Sequence, residues 1–415
     1  MEDLKLYTID GKKPPVSEED VYQIMTSYLY AGNNRISPSG SSFKNITIGQ
    51  QTVVVPPDDV GRLQAAYNLL DQRGGGIIQL LSGTYNVTTA ILGKSSVALR
   101  GISPSSTIVD FNDTSANLSF SGTDIYTTGT ITAIASSVLV TGSGTLWLAN
   151  VEAGQHLFLG TRWYKIAAVT SDTTLTLAEG YIDNVTLPST YRIASIMQDV
   201  KFFDLTFQDS TETNLAITDG RQIVLDNVHS NSANKGIVYT NCSEISAERV
   251  IVVTNTSNGI EATNVGLSDW ESVNCIANGG SGMVFNNVKT MSVFSSALNA
   301  NTADGINITT GVDIKLFVET SGNGGQGVEL VSGCDGITIE AIAKSNTSDG
   351  IKLTATSDNC KILAGTITGN GGYGINIAAA TCDSNIIDQN NLATNTSGNL
   401  NDSGTTTVIG TNIGI

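Results

Sequence analysis

The stretch Asn301-Thr-Ala-Asp-Gly305-Ile-Asn-Ile308 decides the fold, because the chain returns to its pattern at nearly constant intervals. A glycine followed by an apolar–x–apolar triplet recurs every 22 to 24 residues, at Gly236, Gly259, Gly282, Gly305, Gly327, Gly350 and Gly374. An asparagine stands four residues before the last six of these glycines, at Asn255, Asn278, Asn301, Asn323, Asn346 and Asn370. A period this regular indicates stacked repeats of one structural unit.

Each repeat contains short stretches of alternating apolar and polar residues, such as 314–318 and 337–339, separated by Gly, Asn, Ser and Thr. Alternation with a period of two is typical of strands with one buried face, and the small polar residues supply the turns between them. Leucine-rich repeats have a similar period, but their leucine frame is absent from this chain. The pattern therefore predicts a parallel β-helix whose coils stack about 4.8 Å apart, with the aligned asparagines forming an amide ladder inside a turn.

The composition excludes several classes of protein. Charged residues make up 14% of the 415 residues, against roughly 25% in an average soluble domain. A hydrophobic content of 40% is too high for a disordered chain. No uncharged apolar run is long enough for a membrane span. The net charge of −17 and the lack of any basic cluster exclude a nucleic-acid partner.

The cysteines and histidines do not form a recognisable catalytic or metal-binding motif. The five cysteines show no CxxC or zinc-type spacing, and we expect them to be buried, unpaired side chains: Cys242, Cys275, Cys334, Cys360 and Cys382. The only histidines, His156 and His229, fall in different parts of the chain, so a Ser-His-Asp site is not expected. Carboxylates are the remaining candidates for catalysis.

The region before the repeats points to a known superfamily. Residues 57–70 predict an amphipathic helix whose apolar stripe is Val60, Leu63, Ala66, Tyr67 and Leu70. Strand-like segments at 77–80 and 97–100 follow it. This order resembles the capping helix and first coils of the right-handed parallel β-helix superfamily, the pectate-lyase-like fold, which includes phage tailspikes and sugar epimerases. The resemblance covers about 55–119 and 198–415, and implies an all-β, right-handed solenoid closed by a helix.

The periodicity divides the chain into four parts. Residues 1–55 are interpreted as an N-terminal attachment segment, residues 56–119 as the capping helix and first coils, and residues 198–415 as the main β-helix and its C-terminal end. Residues 120–197 interrupt the repeat with longer, antiparallel-style strands, which predicts an inserted small β-barrel-like domain. Trp147, Trp163 and Tyr164 lie in this insertion. They are candidates for sugar binding, or they form its core.

A candidate catalytic site appears when the repeats are aligned on Val228, Val250 and Val273. The alignment places Asp226, Glu248 and Glu271 near one corner of three successive coils, with Arg249 and Trp270 beside them. Carboxylates one coil apart are at about the separation of a retaining-glycosidase pair. Like charges this close raise one pKa, as an acid/base pair requires. The alternative is a solvated turn in which Arg249 simply pairs with these acids.

A second outward-facing set contains Glu261 and Glu329, each two residues after a repeat glycine. They are three coils apart, too far for one glycosidic centre. They are interpreted as a polar groove wall that contacts sugar or is merely solvated. No cofactor is required. A Ca²⁺ ion would need an aspartate cluster, for which Asp204, Asp219 and Asp226 are the local candidates.

Three functions remain open from the sequence. The leading hypothesis is a virion-associated, tailspike-like protein that binds host surface polysaccharide. One version of this hypothesis adds that the protein depolymerises the polysaccharide as a hydrolase or lyase. The others are a purely structural tail or capsid decoration protein and a free polysaccharide lyase or epimerase. The resemblance implies a homotrimer attached to other virion proteins through residues 1–55. The start of the chain lacks the features of a signal peptide, which predicts a virion or extracellular protein released by virion assembly and lysis.

Overall fold

The computed structural model describes residues 51–57, 61–181 and 185–414. The segment predicted for attachment lies outside these ranges, except for its last residues, which form a strand of the solenoid. Within the described ranges, neither helix is long and apolar enough to cross a membrane.

The chain begins with a helix and the first coils of a solenoid. These elements are β1 (Thr52–Val55), α1 (Gly61–Gln72), β2 (Gly76–Leu80), β3 (Gly83–Asn86), β4 (Ile91–Leu92), β5 (Val97–Arg100), β6 (Thr107–Thr114) and β7 (Leu118–Ser121). An inserted unit follows, with β8 (Thr123–Tyr126), β9 (Thr130–Ala133), β10 (Leu139–Ser143), α2 (Trp147–Asn150), β11 (His156–Leu159), β12 (Arg162–Ser171), β13 (Thr174–Leu177), β14 (Val185–Ser189) and β15 (Arg192–Ser195).

The remaining strands complete the solenoid. They are β16 (Met197–Ser210), β17 (Thr213–Asn231), β18 (Lys235–Glu248), β19 (Ile251–Val253), β20 (Ile260–Glu271), β21 (Asn274–Ile276), β22 (Met283–Asn299), β23 (Ile306–Ser321), β24 (Val328–Ser332), β25 (Thr338–Lys344), β26 (Ile351–Leu353), β27 (Lys361–Leu363), β28 (Thr366–Thr368), β29 (Tyr373–Ile377), β30 (Ile386–Asp388), β31 (Asn391–Ala393), β32 (Gly398–Asp402) and β33 (Val408–Ile409).

The register of these strands confirms the parallel β-solenoid. The residue after each repeat glycine pairs in parallel with its equivalent in the next coil, in the series Ile237, Ile260, Met283, Ile306, Val328, Ile351 and Ile375. Every one of these side chains is buried. The 23-residue period read from the sequence is therefore the length of one coil.

The coils turn at residues in the left-handed backbone region. In one coil the corners are Asn264, Leu267, Ser272 and Ala277, with φ between 51° and 56°. Asn241 and Asn287 take the same conformation in the coils before and after Asn264. Asparagine tolerates this region better than most residues, which explains part of its abundance in the second half of the chain.

The asparagines ahead of the repeat glycines form the predicted ladder inside the solenoid. Each is buried, and its Nδ2 donates to Oδ1 of the next asparagine at 2.8 to 3.0 Å. The ladder runs through Asn255, Asn278, Asn301, Asn323, Asn346 and Asn370, and it continues to Asn395. Because nearly every amide also donates to or accepts from the backbone, the buried polar atoms of this turn are paired.

The core changes in character along the solenoid. Aromatic residues fill the earlier coils. The ring centres of Phe120 and Phe202 are 5.5 Å apart in an edge-to-face contact, and those of Trp270 and Phe285 are also 5.5 Å apart. Aliphatic residues fill the later coils. All five cysteines are buried and unpaired, as predicted. Helix α1 packs its stripe of Leu63, Ala66, Tyr67 and Leu70 against the first coils, while Val60 falls outside the described residues.

The insertion forms its own antiparallel sheet, with strands in the order β14-β9-β10-β13-β12-β11-β15-β8 among the described residues. It rests on the side of the solenoid through a set of polar contacts. Trp163 Nε1 donates to the carbonyl of Asn241 at 2.6 Å. Arg192 pairs with Asp219 at 2.9 Å, and Arg221 pairs with both Glu179 and Glu244 at 2.8 Å.

Candidate functional site

The three candidate carboxylates lie in one row on the outer wall of the solenoid. Asp226 of β17 pairs with Glu248 of β18, and Glu248 pairs with Glu271 of β20. The alignment made from the sequence therefore has the correct register. Neighbouring parallel strands are about 4.8 Å apart, so the backbones of successive acids have that separation.

Arg249 joins the first two acids of the row. Its guanidinium donates from Nη1 to Glu248 Oε1 and from Nη2 to Asp226 Oδ1. Arg249 occupies a corner with φ of 53°, which turns its side chain outward beside that of the preceding residue. Partial burial raises the pKa of the Asp226 carboxyl; Arg249 opposes this shift, while Glu248 and Asp204 add to it.

Glu271, the third acid, is exposed, and its carboxylate has no hydrogen-bond or ion-pair partner among the described residues. The site thus combines a neutralised end, at Asp226 and Glu248, with a free carboxylate at Glu271. Such an arrangement can hold one carboxylate in a fixed position and leave another available to a ligand.

The predicted sugar-binding role of Trp270 is not compatible with its position. Its side chain is fully buried and contacts the rings of Tyr239 and Phe285. Successive residues of a strand point to opposite faces, so the outward direction of Glu271 sends Trp270 inward. Arg249, in contrast, lies at the surface beside the acids as expected.

Trp147 and Trp163 are also fully buried, so neither offers its ring to a sugar. Trp147 lies in the core of the insertion and donates from Nε1 to the hydroxyl of Tyr191 at 2.9 Å. Trp163 packs between the insertion and the solenoid. Tyr164 is part of the core of the insertion as well. The alternative interpretation of these aromatics, that they form the core, is the correct one.

Glu261 and Glu329 lie in a different outward row, three coils apart. Both carboxylates accept hydrogen bonds from other side chains of the protein. Glu261 accepts from Lys235 at 2.9 Å and from Asn258 at 2.8 Å. Glu329 accepts from Lys352 and Asn307, each at 3.0 Å. Their carboxylates are therefore less available to a ligand than that of Glu271.

The aspartates considered for Ca²⁺ are separated by their partners. Asp219 pairs with Arg192, Asp204 accepts from Asn227 at 2.8 Å, and Asp226 is held by Arg249. Across residues 51–57, 61–181 and 185–414, no group of three or more His, Cys, Asp or Glu side chains could hold a metal ion.

The row extends beyond the three acids predicted from the sequence. The outward positions that pair in register with Glu271 continue as Phe294, Phe317 and Glu340. Each follows the previous one by 23 residues, so the period itself could have identified them. In the opposite direction the row continues to Phe203 and Arg100, whose guanidinium lies 4.9 Å from the ring centre of Phe203.

Neither protein-family models nor curated proteins match the sequence. Solved structures do match the fold. The A-module of mannuronan C-5 epimerase AlgE4 from Azotobacter vinelandii aligns with a TM-score of 0.55 at 16% identity, over 84% of this chain and 95% of that one. The catalytic unit of a GH87 alpha-1,3-glucanase from Streptomyces thermodiastaticus aligns with a TM-score of 0.51 at 11% identity, over 86% of this chain and 68% of that one.

The Gp54 tailspike of Acinetobacter baumannii bacteriophage AP22, solved with a capsular saccharide, aligns with a TM-score of 0.43 at 11% identity, over 86% of this chain and 69% of that one. At these identities the matches concern the fold. The register of the coils and the match to the epimerase module show that the chain has the parallel β-helix fold expected from its resemblance to the pectate-lyase-like superfamily.

Proposed function

We propose that this chain binds a polysaccharide along the outer row of Asp226, Glu248 and Glu271, and cleaves glycosidic bonds there. The observation that carries the proposal is the stacking of three carboxylates in adjacent coils, the last of them without a protein partner among the described residues. Like charges directly opposite one another destabilise a sheet, and Arg249 offsets this cost at Asp226 and Glu248 but leaves the Glu271 carboxylate without a counter-charge among the described residues.

A second acidic stack in the molecule shows the contrast. Asp335 and Asp358 are also aligned in successive coils. There the carboxylates serve the turns: Asp358 Oδ1 accepts from the backbone of Asp383 at 2.8 Å, and Asp335 Oδ1 accepts from Asn359 at 2.8 Å. Glu271 makes no such contact with the next coil, so a role in a turn does not explain it.

The proposed reaction is based on the coil spacing, which places the backbones of successive acids about 4.8 Å apart. Carboxyl groups about 5–5.5 Å apart suit a retaining glycosidase, in which one protonates the leaving oxygen and the other attacks the sugar. We assign the nucleophile to Glu248, which Arg249 holds in position, and the proton donor to Glu271. Water then cleaves the glycosyl–enzyme bond, and Glu271 takes up its proton. Asp226 shares Arg249 and acts as a positioning residue.

The proposal extends to the setting of the protein. We propose a virion-associated, tailspike-like homotrimer that acts on host surface polysaccharide and attaches through residues 1–55. The order of the N-terminal helix and first coils in the sequence supports it. A structural particle protein is the second candidate, since the ion pairs of Arg249 would also stabilise a purely structural corner.

The test is a screen of the purified chain against capsular and cell-wall polysaccharides, with mass analysis of the products. Glu248→Gln and Glu271→Gln are each expected to lower cleavage by at least about a hundredfold, since each removes one half of the acid pair. Glu212→Gln, at an exposed acid outside the row, is the matched control and should keep full activity. Cleavage that survives in both variants of the row would exclude this site.

A further inference from the structure

The outer row contains an aromatic pair directly beyond its free carboxylate. Phe294 and Phe317 follow Glu271 in register, one coil after another. Their ring centres are 4.8 Å apart and the ring planes are inclined by 31°. Both side chains are half-buried on the outside of the solenoid, whereas the other large aromatic residues of these coils, such as Trp270 and Phe285, are fully buried. Large apolar groups gathered on an outer face mark a contact with a ligand or partner.

A shallow groove of about 410 Å³ runs beside Phe317. Its apolar lining includes Ile342, whose exposed fraction is 43%, and its polar lining includes Ser295, Glu319 and Glu340. A sugar ring has apolar C–H faces and a polar rim of hydroxyl groups. The groove has the matching arrangement, with the ring of Phe317 for the faces and carboxylate or hydroxyl oxygens for the rim.

The charges around the pair indicate which sugars fit. Carboxylates bracket it, with Glu271 before Phe294 and Glu340 after Phe317 in the row, and Glu319 in the groove. Lys315 and Lys361 lie on the neighbouring outward row of the same strands. Carboxylate-bearing sugars are best recognised by an arginine fork, and Arg249 is two coils from Phe294, three from Phe317, and already paired with Asp226 and Glu248. The acids therefore disfavour a polyuronate and can accept hydrogen bonds from neutral hydroxyl groups.

We propose that Phe294 and Phe317 form a stacking platform for an uncharged polysaccharide that lies along the solenoid axis and reaches Glu271 and Glu248. Delivery of the polysaccharide to Glu271 and Glu248 for cleavage rests on the proposed function. The binding role of the two phenylalanines is argued separately, from their exposure, their ring contact and the adjoining groove. The repeat of the row, about 4.8 Å per coil, lets successive sugars of one chain meet successive side chains of the row.

Affinity electrophoresis can test the platform with two sets of probes. The uncharged set is dextran, mannan, galactan, α-1,3-glucan and β-1,3-glucan, and the charged set is alginate and polygalacturonate. The wild type should bind at least one uncharged probe and neither charged one. Phe294→Leu and Phe317→Leu keep an apolar side chain but remove the ring, and each should weaken that binding by about tenfold.

Phe203→Leu is the matched control, because Phe203 lies in the same row but its ring is already covered by Arg100. It should bind like the wild type, and circular dichroism should show that all three variants remain folded. Unchanged binding in both platform variants, binding only to the charged probes, or no binding to any uncharged probe would overturn the proposal.

The platform and the catalytic site can fail separately. If the wild type binds an uncharged probe through the two phenylalanines but cleaves no polysaccharide, the platform stands and the proposed cleavage is wrong. If cleavage occurs and both platform variants keep the wild-type KM, the platform is wrong and the catalytic site stands. With both correct, the variants raise KM and leave kcat nearly unchanged.

Discussion

Trp270 and Glu271 are neighbours in the chain but lie on opposite sides of the solenoid wall. Trp270 is fully buried against Tyr239 and Phe285, while Glu271 is exposed and its carboxylate has no protein partner among the described residues. On the inner side, the asparagine ladder pairs its amides with one another from coil to coil. On the outer row, a carboxylate and an aromatic pair remain accessible. The inner side therefore determines stability, and the outer row is the place where a ligand can bind.

Replacement of Trp270 should give the largest effect of this comparison. Trp270→Ala removes a fully buried indole and leaves a cavity, so we expect the free energy of unfolding to fall by about 3–5 kcal/mol. Denaturant unfolding of the whole chain measures it. Glu271→Gln, on the opposite side of the wall, should stay within about 0.5 kcal/mol of the wild type. A stable Trp270→Ala variant that has lost polysaccharide binding would instead place the indole at the surface.

The asparagine ladder should show the next largest effect. Asn301 Oδ1 accepts from the backbone and side chain of Asn278, and its Nδ2 donates to Asn323 Oδ1 and to the carbonyl of Cys275. Asn301→Ala leaves several of these buried groups without partners, which should cost about 3 kcal/mol. Asn286→Ala, at an exposed asparagine of the adjacent coil, is the matched control. Equal melting temperatures for the two variants would show that the ladder does not stabilise the solenoid.

The sequence predicted the repeat and the alignment of the acids because both depend on a nearly constant coil length. It did not predict the direction of each side chain correctly. Placing Trp270 and Glu271 in one surface site conflicts with the alternation of a strand, which separates adjacent residues. Glu248 and Arg249 are adjacent but both point outward, because Arg249 has a left-handed backbone conformation at a corner and the alternation of the strand ends there. Such corners are hard to locate from sequence, since Leu267 and Ala277 also occupy them.

The junction between solenoid and insertion should give a smaller, pH-dependent effect. His156 is buried there, and its Nε2 lies 3.0 Å from Nε2 of Gln198. Burial, followed by the nearby charges of Arg221 and Lys165, lowers the pKa of His156 from 6.5 to about 4. The unfolded chain therefore binds a proton between these values and the folded chain does not, so stability falls as the pH drops through this window. Allowing for partial solvent access, the loss in the free energy of unfolding should reach about 2 kcal/mol.

His156→Gln should reduce this loss of stability at low pH, which thermal unfolding from pH 7 to pH 4.5 can measure. Parallel curves for the two proteins would contradict the burial of a neutral histidine at this junction.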